Sequence, residues 1–431
     1  MKNLFFFLVF ISIYSSGCNK LEDEGLVNEY DYMPDYKRVV KAFLLKEAFD
    51  DPKYLSSIPE IVMIPQEFAF GKNDVEIKQD LSVFYNSMTL SLSDIKTMRV
   101  KNHGLSRLSL IKAVSHYLRL IKENGQASSG LEQKLLAFTL SEIEYFYNLS
   151  NPGWPPLING NVRERIIWGL ENWNDVPKGL NNYAFSINDD IWRLAEANAN
   201  MFVYLEKSKQ FIPNYIKELR ELSYQFVNEG GVTSRLGYVF QPGSISDHPD
   251  NLYAGHEKIF SNIEHKEVEG LGWDTSHFSM FPSMIYSLKK SFEKDEIKFN
   301  YLSTCSQEIS NMFYGEIVEE IGGSTYTKNY MDGTNGVYRY DEKTTDGYLP
   351  YELSGTILFG HWLYMNTKEN YVFFNNLFNS FPLKHETIKT YQSIFYRNRG
   401  SYSNNQIEFL YENPSIRVYS YFCIRLSEKN F

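Results

Sequence analysis

The sequence predicts an all-α fold. Apolar residues recur at intervals of three and four along much of the chain, as in Leu108, Ile111 and Val114, and this period places them on one face of an α-helix. Many of these stretches are apolar on more than one side, which favours helices packed in layers over a simple bundle. Alternation typical of β-strands is confined to residues 407–410 and 415–426, with further strands predicted to flank 231–241.

Loops of very different length separate the predicted helices. The two longest, 229–273 and 322–350, are rich in Gly, Asn and aromatic residues, and long loops on a helical scaffold often carry functional sites. The Pro-rich segment 151–156 predicts a boundary between an N-terminal helical part (34–150) and a main body (151–405), followed by a short β tail (406–431). The predicted helices cover residues 37–49, 106–122, 130–147, 187–206, 213–228, 277–294, 301–320, 352–365 and 385–396.

The N-terminus has the features of an export signal followed by a lipid-anchor site. Lys2 precedes an apolar run (4–14) that is too short to span a bilayer, and small residues follow it, so we predict a signal peptide over 1–17. Cys18 after Ser-Gly resembles the lipobox of bacterial lipoproteins, which implies a diacylated Cys18 at the mature N-terminus, although Ser15 stands where Leu is usual. An ordinary signal peptide with an incidental Cys is the alternative.

The acidic run after Cys18 resembles the tether of surface lipoproteins, and a solvated linker is the alternative. With 18–33 as a tether, two acyl chains would hold the protein on the bacterial outer membrane, facing the periplasm or the cell surface. The net charge of −10 argues against a nucleic-acid partner, yet a few basic residues in a cleft can still bind an anionic polysaccharide or oligosaccharide.

The cysteine and histidine content predicts neither a disulfide framework nor a metal site. With Cys18 lipidated, only Cys305 and Cys423 remain, and we expect two buried thiols, although the sequence leaves their pairing open. No Cys/His spacing typical of zinc is present, so no metal or other cofactor is predicted. Aromatic residues make up 16% of the chain, which suits a large core or sugar-stacking surfaces.

The strongest candidate site is the segment 272–278. Asp274 or Thr275 can cap a helix that begins near His277, and a helix N-terminus disfavours a charged imidazole. A neutral His277 can take up a proton as a general base, with Trp273 beside it as a substrate contact. A capping Asp followed by a histidine packed in the core is the alternative.

Two further segments offer complementary groups. Asn181 and Asn182 can hydrogen-bond a sugar carboxylate, although Asn is also common in turns. In 329–340, the Tyr330 hydroxyl can protonate a leaving oxygen and Arg339 can bind a carboxylate in a fork, although Asp-Gly and Asn-Gly in this segment are also hairpin signals.

The long loop before His277 carries weaker candidates. His248, Tyr253 and His256 lie in this loop and are predicted to line the same cleft, with an ordinary surface loop as the alternative. We predict structural roles for the remaining histidines, which are His103, His116, His265, His361 and His385.

The order of these features over 168–364 resembles polysaccharide lyases with an α/α-toroid fold, the alginate-lyase and heparinase-like group. The shared features are an Asn-rich helix start, a helical hairpin through Gly230, a long loop, an acidic residue three before a His, and Asn-Tyr-x-Asp-Gly at 329–333. The resemblance implies an incomplete helical barrel and β-elimination on a uronate-containing glycan. It assigns Asn182 to neutralise the carboxylate, His277 as the base, and Tyr330 or Tyr253 as the acid.

Two departures separate the chain from that group: no His follows the Asn pair, and the C-terminus has no room for a large β-sandwich. Two other functions stay open. A non-catalytic glycan-binding lipoprotein would use aromatic platforms such as Trp154, Trp168, Trp173 and Trp273. An α/α-barrel glycoside hydrolase would need two carboxyl groups across one cleft, drawn from Asp274, Glu257, Asp332 and Glu352.

Overall fold

The computed structural model describes residues 27, 29–97, 104–126, 129–149, 161–172, 189–234, 237–396 and 414–428, and these are mostly helical, as predicted. The α-helices are α1 (Met33–Tyr36), α2 (Ala42–Leu44), α3 (Pro52–Gly71), α4 (Val75–Leu90), α5 (Leu92–Thr97), α6 (Gly104–Glu123), α7 (Gly130–Asn148), α8 (Val162–Asn172), α9 (Asp189–Lys207), α10 (Asn214–Gly230), α11 (Thr275–Phe278), α12 (Phe281–Ser291), α13 (Glu296–Met312), α14 (Glu369–Asn379), α15 (His385–Tyr396) and α16 (Val418–Ser427).

The strands form three short antiparallel hairpins. They are β1 (Gly231–Ser234) with β2 (Gly237–Phe240), β3 (Val318–Ile321) with β4 (Ser324–Thr327), and β5 (Tyr338–Asp341) with β6 (Asp346–Tyr348). Strands were predicted to flank 231–241, and the first hairpin lies inside that range instead. The 3₁₀ segments are Pro249–Asn251, Ser354–Phe359, His361–Met365 and Pro414–Arg417, and Lys37–Lys41 and Phe313–Ile317 are π-helical.

Local capping residues explain where several helices begin. The Asp74 side chain accepts a hydrogen bond from the Ile77 amide at 2.9 Å and starts α4. Ser129 and Glu132 form a reciprocal capping box at the start of α7. Each cap satisfies amide groups that have no partner inside the helix, which is worth about 1 kcal/mol.

Four long helices pack side by side in chain order and run parallel: α3, α6, α9 and α12. Early residues of one helix contact early residues of the next, and late residues contact late ones. Each of the four is followed by a helix that returns beside it, so α3–α4, α6–α7, α9–α10 and α12–α13 are helical hairpins. The contacts that fix the direction are Ser56–Ser106, Glu67–His116, Lys112–Glu196, Lys122–Tyr204, Trp192–Phe281 and Glu206–Lys294.

The interfaces between these parallel helices bury charged side chains. Lys112 and Glu196 are fully buried and lie 3.1 Å apart, and Arg119 lies 2.8 Å from Glu67. Burial favours the neutral form of Glu67, but the charge of Arg119 and the contact with His116 outweigh it and lower the pKa of Glu67 to about 2. Because an unpaired buried charge is costly, each pair ties its two helices together in one register.

The predicted β tail is wrong. Residues 414–428 form a 3₁₀ turn followed by α16, which packs against α3 and α14 and runs parallel to α3. The alternation of Arg417, Tyr419 and Tyr421 suggested a strand. Helix α16 is buried on most of its surface, so its apolar residues are not confined to one face and the sequence shows no helical periodicity. Residues 407–410 lie outside the described residues.

Other differences concern which helices form and where they begin and end. Helices α3 and α4 were not predicted; α3 contains Pro59 and Pro65, which usually interrupt helices. The predicted helix 352–365 is two 3₁₀ segments, and the predicted helix 301–320 starts at Glu296 and ends before β3. Cys305 and Cys423 are buried free thiols, as expected. Among the described residues, no helix has the length and apolar character that a membrane span requires.

Candidate functional site

Three chain segments meet at the candidate site. Residues 273–275 pair with 329–331 through backbone hydrogen bonds: the Thr275 amide donates to the Asn329 carbonyl at 2.9 Å, and the Met331 amide donates to the Trp273 carbonyl at 2.8 Å. The third segment is the part of the long loop around His256. It joins the other two because the Val337 amide donates to the His256 carbonyl at 2.8 Å. These bonds bring the segment 329–340 against the helix start that carries His277.

Two glycines allow this close approach. A Cβ on Gly272 would lie 2.7 Å from the Asp332 amide nitrogen, and a Cβ on Gly336 would lie 1.6 Å from the Ala254 carbonyl oxygen. Neither position has room for a side chain, so the three segments depend on glycine to stay in contact.

Asp274 and His277 form a hydrogen-bonded pair at the start of α11. Asp274 caps this helix by accepting from the His277 amide at 3.1 Å, and its Oδ2 lies 2.7 Å from His277 Nδ1. Burial favours a neutral Asp274, but the charge and hydrogen bond of His277, assisted by Ser276, lower the pKa of Asp274 to about 2. An ionised carboxylate only accepts hydrogen bonds, so Nδ1 carries a proton in both charge states of His277, and in the neutral ring Nε2 carries the lone pair.

Tyr338 and Arg339 stand next to this pair. The Tyr338 hydroxyl oxygen lies 3.3 Å from His277 Nδ1, whose own proton is directed at Asp274. Arg339 donates from Nε to Asp250 at 3.0 Å, and its guanidinium lies 5.0 Å from the Tyr338 ring centroid. The side chain of His277 is 17% exposed and that of Arg339 is 32% exposed, so both reach the surface, whereas Tyr338 beside them is buried at 2% exposed.

His248 adds a second imidazole. Its Nδ1 accepts from the Asp250 amide at 3.1 Å, so a neutral His248 carries its proton on Nε2. Burial lowers the pKa of His248, and the charges of Arg339 and His277 lower it further against the opposing effect of Asp250 and Asp247. His248 therefore stays a neutral hydrogen-bond donor near neutral pH.

Two of the predicted site residues lie behind the site rather than in it. Tyr330 is fully buried and its hydroxyl donates to the Val337 carbonyl at 3.1 Å, so burial raises its pKa and its proton is already used. Trp273 is 1% exposed and packs edge-on against Trp192, with ring centroids 4.9 Å apart. These placements correct the prediction of Tyr330 as an acid and of Trp273 as a substrate contact.

Two others lie on a neighbouring patch. The buried Tyr253 donates its hydroxyl to Glu342, and burial together with this contact raises the pKa of Tyr253 to about 12. His256 Nε2 lies 2.8 Å from the Glu264 carbonyl oxygen, which it can only contact as a donor. The structure gives no contact of either side chain with His277.

The remaining predicted residues, Asn181, Asn182 and Cys18, lie outside the described residues, as do Trp154 and Trp173. Sequence reasoning did not select Tyr338 or Asp250. The signal for Tyr338 was available, since it directly precedes the selected Arg339. No local sequence pattern indicated Asp250, because its ion pair with Arg339 joins residues 89 positions apart.

The described part of the chain contains no group of three or more His, Cys, Asp or Glu side chains arranged to hold a metal ion. Comparison of the chain with models of known protein families, with curated proteins and with solved structures finds no match in any of the three.

Proposed function

We propose that this protein is a lipid-anchored polysaccharide lyase that cleaves a uronate-containing glycan by β-elimination. The observation that carries the proposal is the Asp274–His277 pair, with the Tyr338 hydroxyl 3.3 Å from the His277 ring and Arg339 beside it. This arrangement combines a base of fixed tautomer, a hydroxyl that can act as an acid, and cationic and neutral donors for a carboxylate.

We further propose that the helices form an α/α toroid. Four helical hairpins whose first helices pack side by side in parallel support this architecture, and α16 packs parallel to α3 at the other side of the set. The candidate site then lies where α12 begins, among the long loops rather than between the helices. Such a placement suits a polymer, because loops at one end of the helices leave an open cleft.

The proposed reaction begins with charge stabilisation. Arg339 and the Nε2–H of His248 bind the uronate carboxylate, which makes the adjacent C5 proton more acidic. The Nε2 of His277 then removes that proton, and Asp274 stabilises the imidazolium that forms. The electron pair of the C–H bond forms the C4–C5 double bond, the C4–O bond breaks, and Tyr338 protonates the departing oxygen. Asn182 stays a prediction as a further carboxylate contact.

The first test is the ultraviolet absorbance of unsaturated products on a panel of uronate polysaccharides. We expect activity in the wild type, and a fall of about 100- to 10,000-fold in kcat for Asp274→Asn and Tyr338→Phe. The matched control is Tyr330→Phe, which removes a hydroxyl that is 0% exposed and bonded to a backbone carbonyl. Full activity in Tyr338→Phe would contradict the acid assignment, and no absorbance on any polymer would contradict β-elimination.

A glycoside hydrolase is the second candidate, supported by Asp332. Burial raises the pKa of this carboxyl, as a general acid requires, although both its oxygens accept from Thr334. A partner carboxylate is harder to assign, since Asp274 is bound by His277 and Glu257 is exposed. Cleavage that yields reducing ends without a double bond, abolished in Asp332→Asn, would favour hydrolysis.

The lipid anchor at Cys18 is tested separately. Expression in a bacterial host with labelled palmitate should label the wild type and not Cys18→Ser, and only the wild type should partition into detergent. Labelling of both proteins would contradict the anchor and leave the proposed reaction unaffected.

A further inference from the structure

The loop 241–251 holds an unusual number of buried side-chain oxygens. Gln241 is 0% exposed and Asn251 is 1% exposed, and among the described residues neither Gln241 Oε1 nor Asn251 Oδ1 has a hydrogen-bond partner. The same holds for the buried Oγ atoms of Ser244 and Ser246. Buried polar atoms without partners are rare in native proteins and indicate something that the protein chain itself does not supply.

The backbone winds these residues into one compact loop. The amides of Ser244, Ser246 and Asn251 each donate to the carbonyl three residues earlier, at 3.1, 3.2 and 2.8 Å. Pro242 and Gly243 occupy the centre of the first of these turns, and Gly243 has a φ of +79°, so the segment is a succession of tight turns rather than a regular helix. The Asn251 side chain folds back onto this loop, because its Nδ2 donates to the Ile245 carbonyl at 2.9 Å, and its Oδ1 is buried there without a partner.

Most of these atoms are oxygens with lone pairs that can bind a cation. Two amide oxygens and two hydroxyl oxygens lack partners, against a single nitrogen, Gln241 Nε2. Asp247 adds a carboxylate to the same loop. An excess of oxygen acceptors around one carboxylate matches a hard cation, and calcium binds carboxylate, amide, hydroxyl and backbone oxygens together.

We propose that residues 241–251 form a calcium-binding loop in which Gln241, Ser244, Asp247 and Asn251 supply side-chain oxygens. The loop carries His248 and Asp250, so a bound ion fixes two groups of the candidate site. One carboxylate gives a weak site, with a dissociation constant of about 0.1–1 mM, in the range of extracellular calcium modules. This inference is independent of the proposed reaction.

The test is thermal unfolding of the purified protein, stripped of divalent ions, with calcium added up to about 10 mM, well above the expected dissociation constant. We expect a saturable rise in Tm that magnesium does not reproduce, and one site per chain by calorimetry. Asp247→Asn should lose the rise. Glu257→Gln, which removes an exposed carboxylate from the next loop, should keep it and serves as the matched control.

A second variant strengthens the site instead of removing it. Asn251→Asp places a carboxylate where Oδ1 now lies, so it should lower Tm without calcium and tighten calcium binding about tenfold. No saturable rise in the wild type, or an equal rise in Asp247→Asn, would overturn the proposal. The absence of a rise in the wild type would mean that buried water fills the loop. An equal rise in Asp247→Asn would mean that calcium binds elsewhere on the acidic surface.

Discussion

His361 makes the stability of this protein sensitive to acid in a way that can be calculated. It lies in the 3₁₀ segment His361–Met365, is 4% exposed, and among the described residues neither ring nitrogen has a hydrogen-bond partner. Burial, followed by the charges of Lys112, His116 and Arg193, lowers the pKa of His361 from 6.5 to about 3. The folded protein therefore keeps this ring neutral where the unfolded chain would protonate it.

The sign and size of the effect follow from this difference. Below pH 6.5 the unfolded chain binds one more proton at His361 than the folded protein, so the free energy of unfolding falls as the pH falls. The loss is about 1.4 kcal/mol per pH unit until the pH approaches the folded pKa. From about pH 7 to about pH 4.5, His361 should remove about 2.5 kcal/mol of stability.

The assay is urea unfolding of the wild type, His361→Gln and His361→Phe over this pH range, followed by Trp fluorescence. The other titratable groups are the same in all three proteins. The difference in free energy of unfolding between each variant and the wild type therefore reports the protonation of His361. Both variants should gain about 2.5 kcal/mol relative to the wild type as the pH falls, whatever their stability at pH 7. Parallel curves in the three proteins would refute the reasoning, since the ring would then be protonated in the fold or exposed to water.

Two further predictions concern the scaffold of the candidate site. Gly336→Ala should lower the free energy of unfolding by at least about 1–3 kcal/mol and reduce activity, because its Cβ would collide with the Ala254 carbonyl. Gly130→Ala, where nothing lies within 4 Å, is the control, and equal urea midpoints for the two variants would contradict the close approach. Tyr330→Phe should cost about 1–2 kcal/mol in urea unfolding and leave the elimination rate within about twofold; a large rate loss would restore Tyr330 as the acid.

Helices with a strong local signal were predictable from the sequence. The predictions for 106–122, 130–147 and 213–228 match α6, α7 and α10 within about two residues, since apolar spacing and capping residues are properties of neighbouring positions. Helix α16 was missed because it is buried among other helices, and its surroundings rather than its own pattern decide its conformation. Helix α3 was missed because its two internal prolines argue locally against a helix that tertiary packing stabilises.

The candidate site also has one part that local sequence predicts and one part that depends on the tertiary structure. The sequence by itself determined the Asp274–His277 pair, because a capping Asp three residues before a His places both side chains at one helix start. Only the tertiary structure decided which tyrosine joins them. Tyr330 and Tyr338 lie in one segment and both are buried. Long-range backbone pairing directs the Tyr330 hydroxyl to the Val337 carbonyl and places the Tyr338 hydroxyl 3.3 Å from His277 Nδ1. Such pairing depends on contacts between residues far apart in the chain, and no local pattern encodes them.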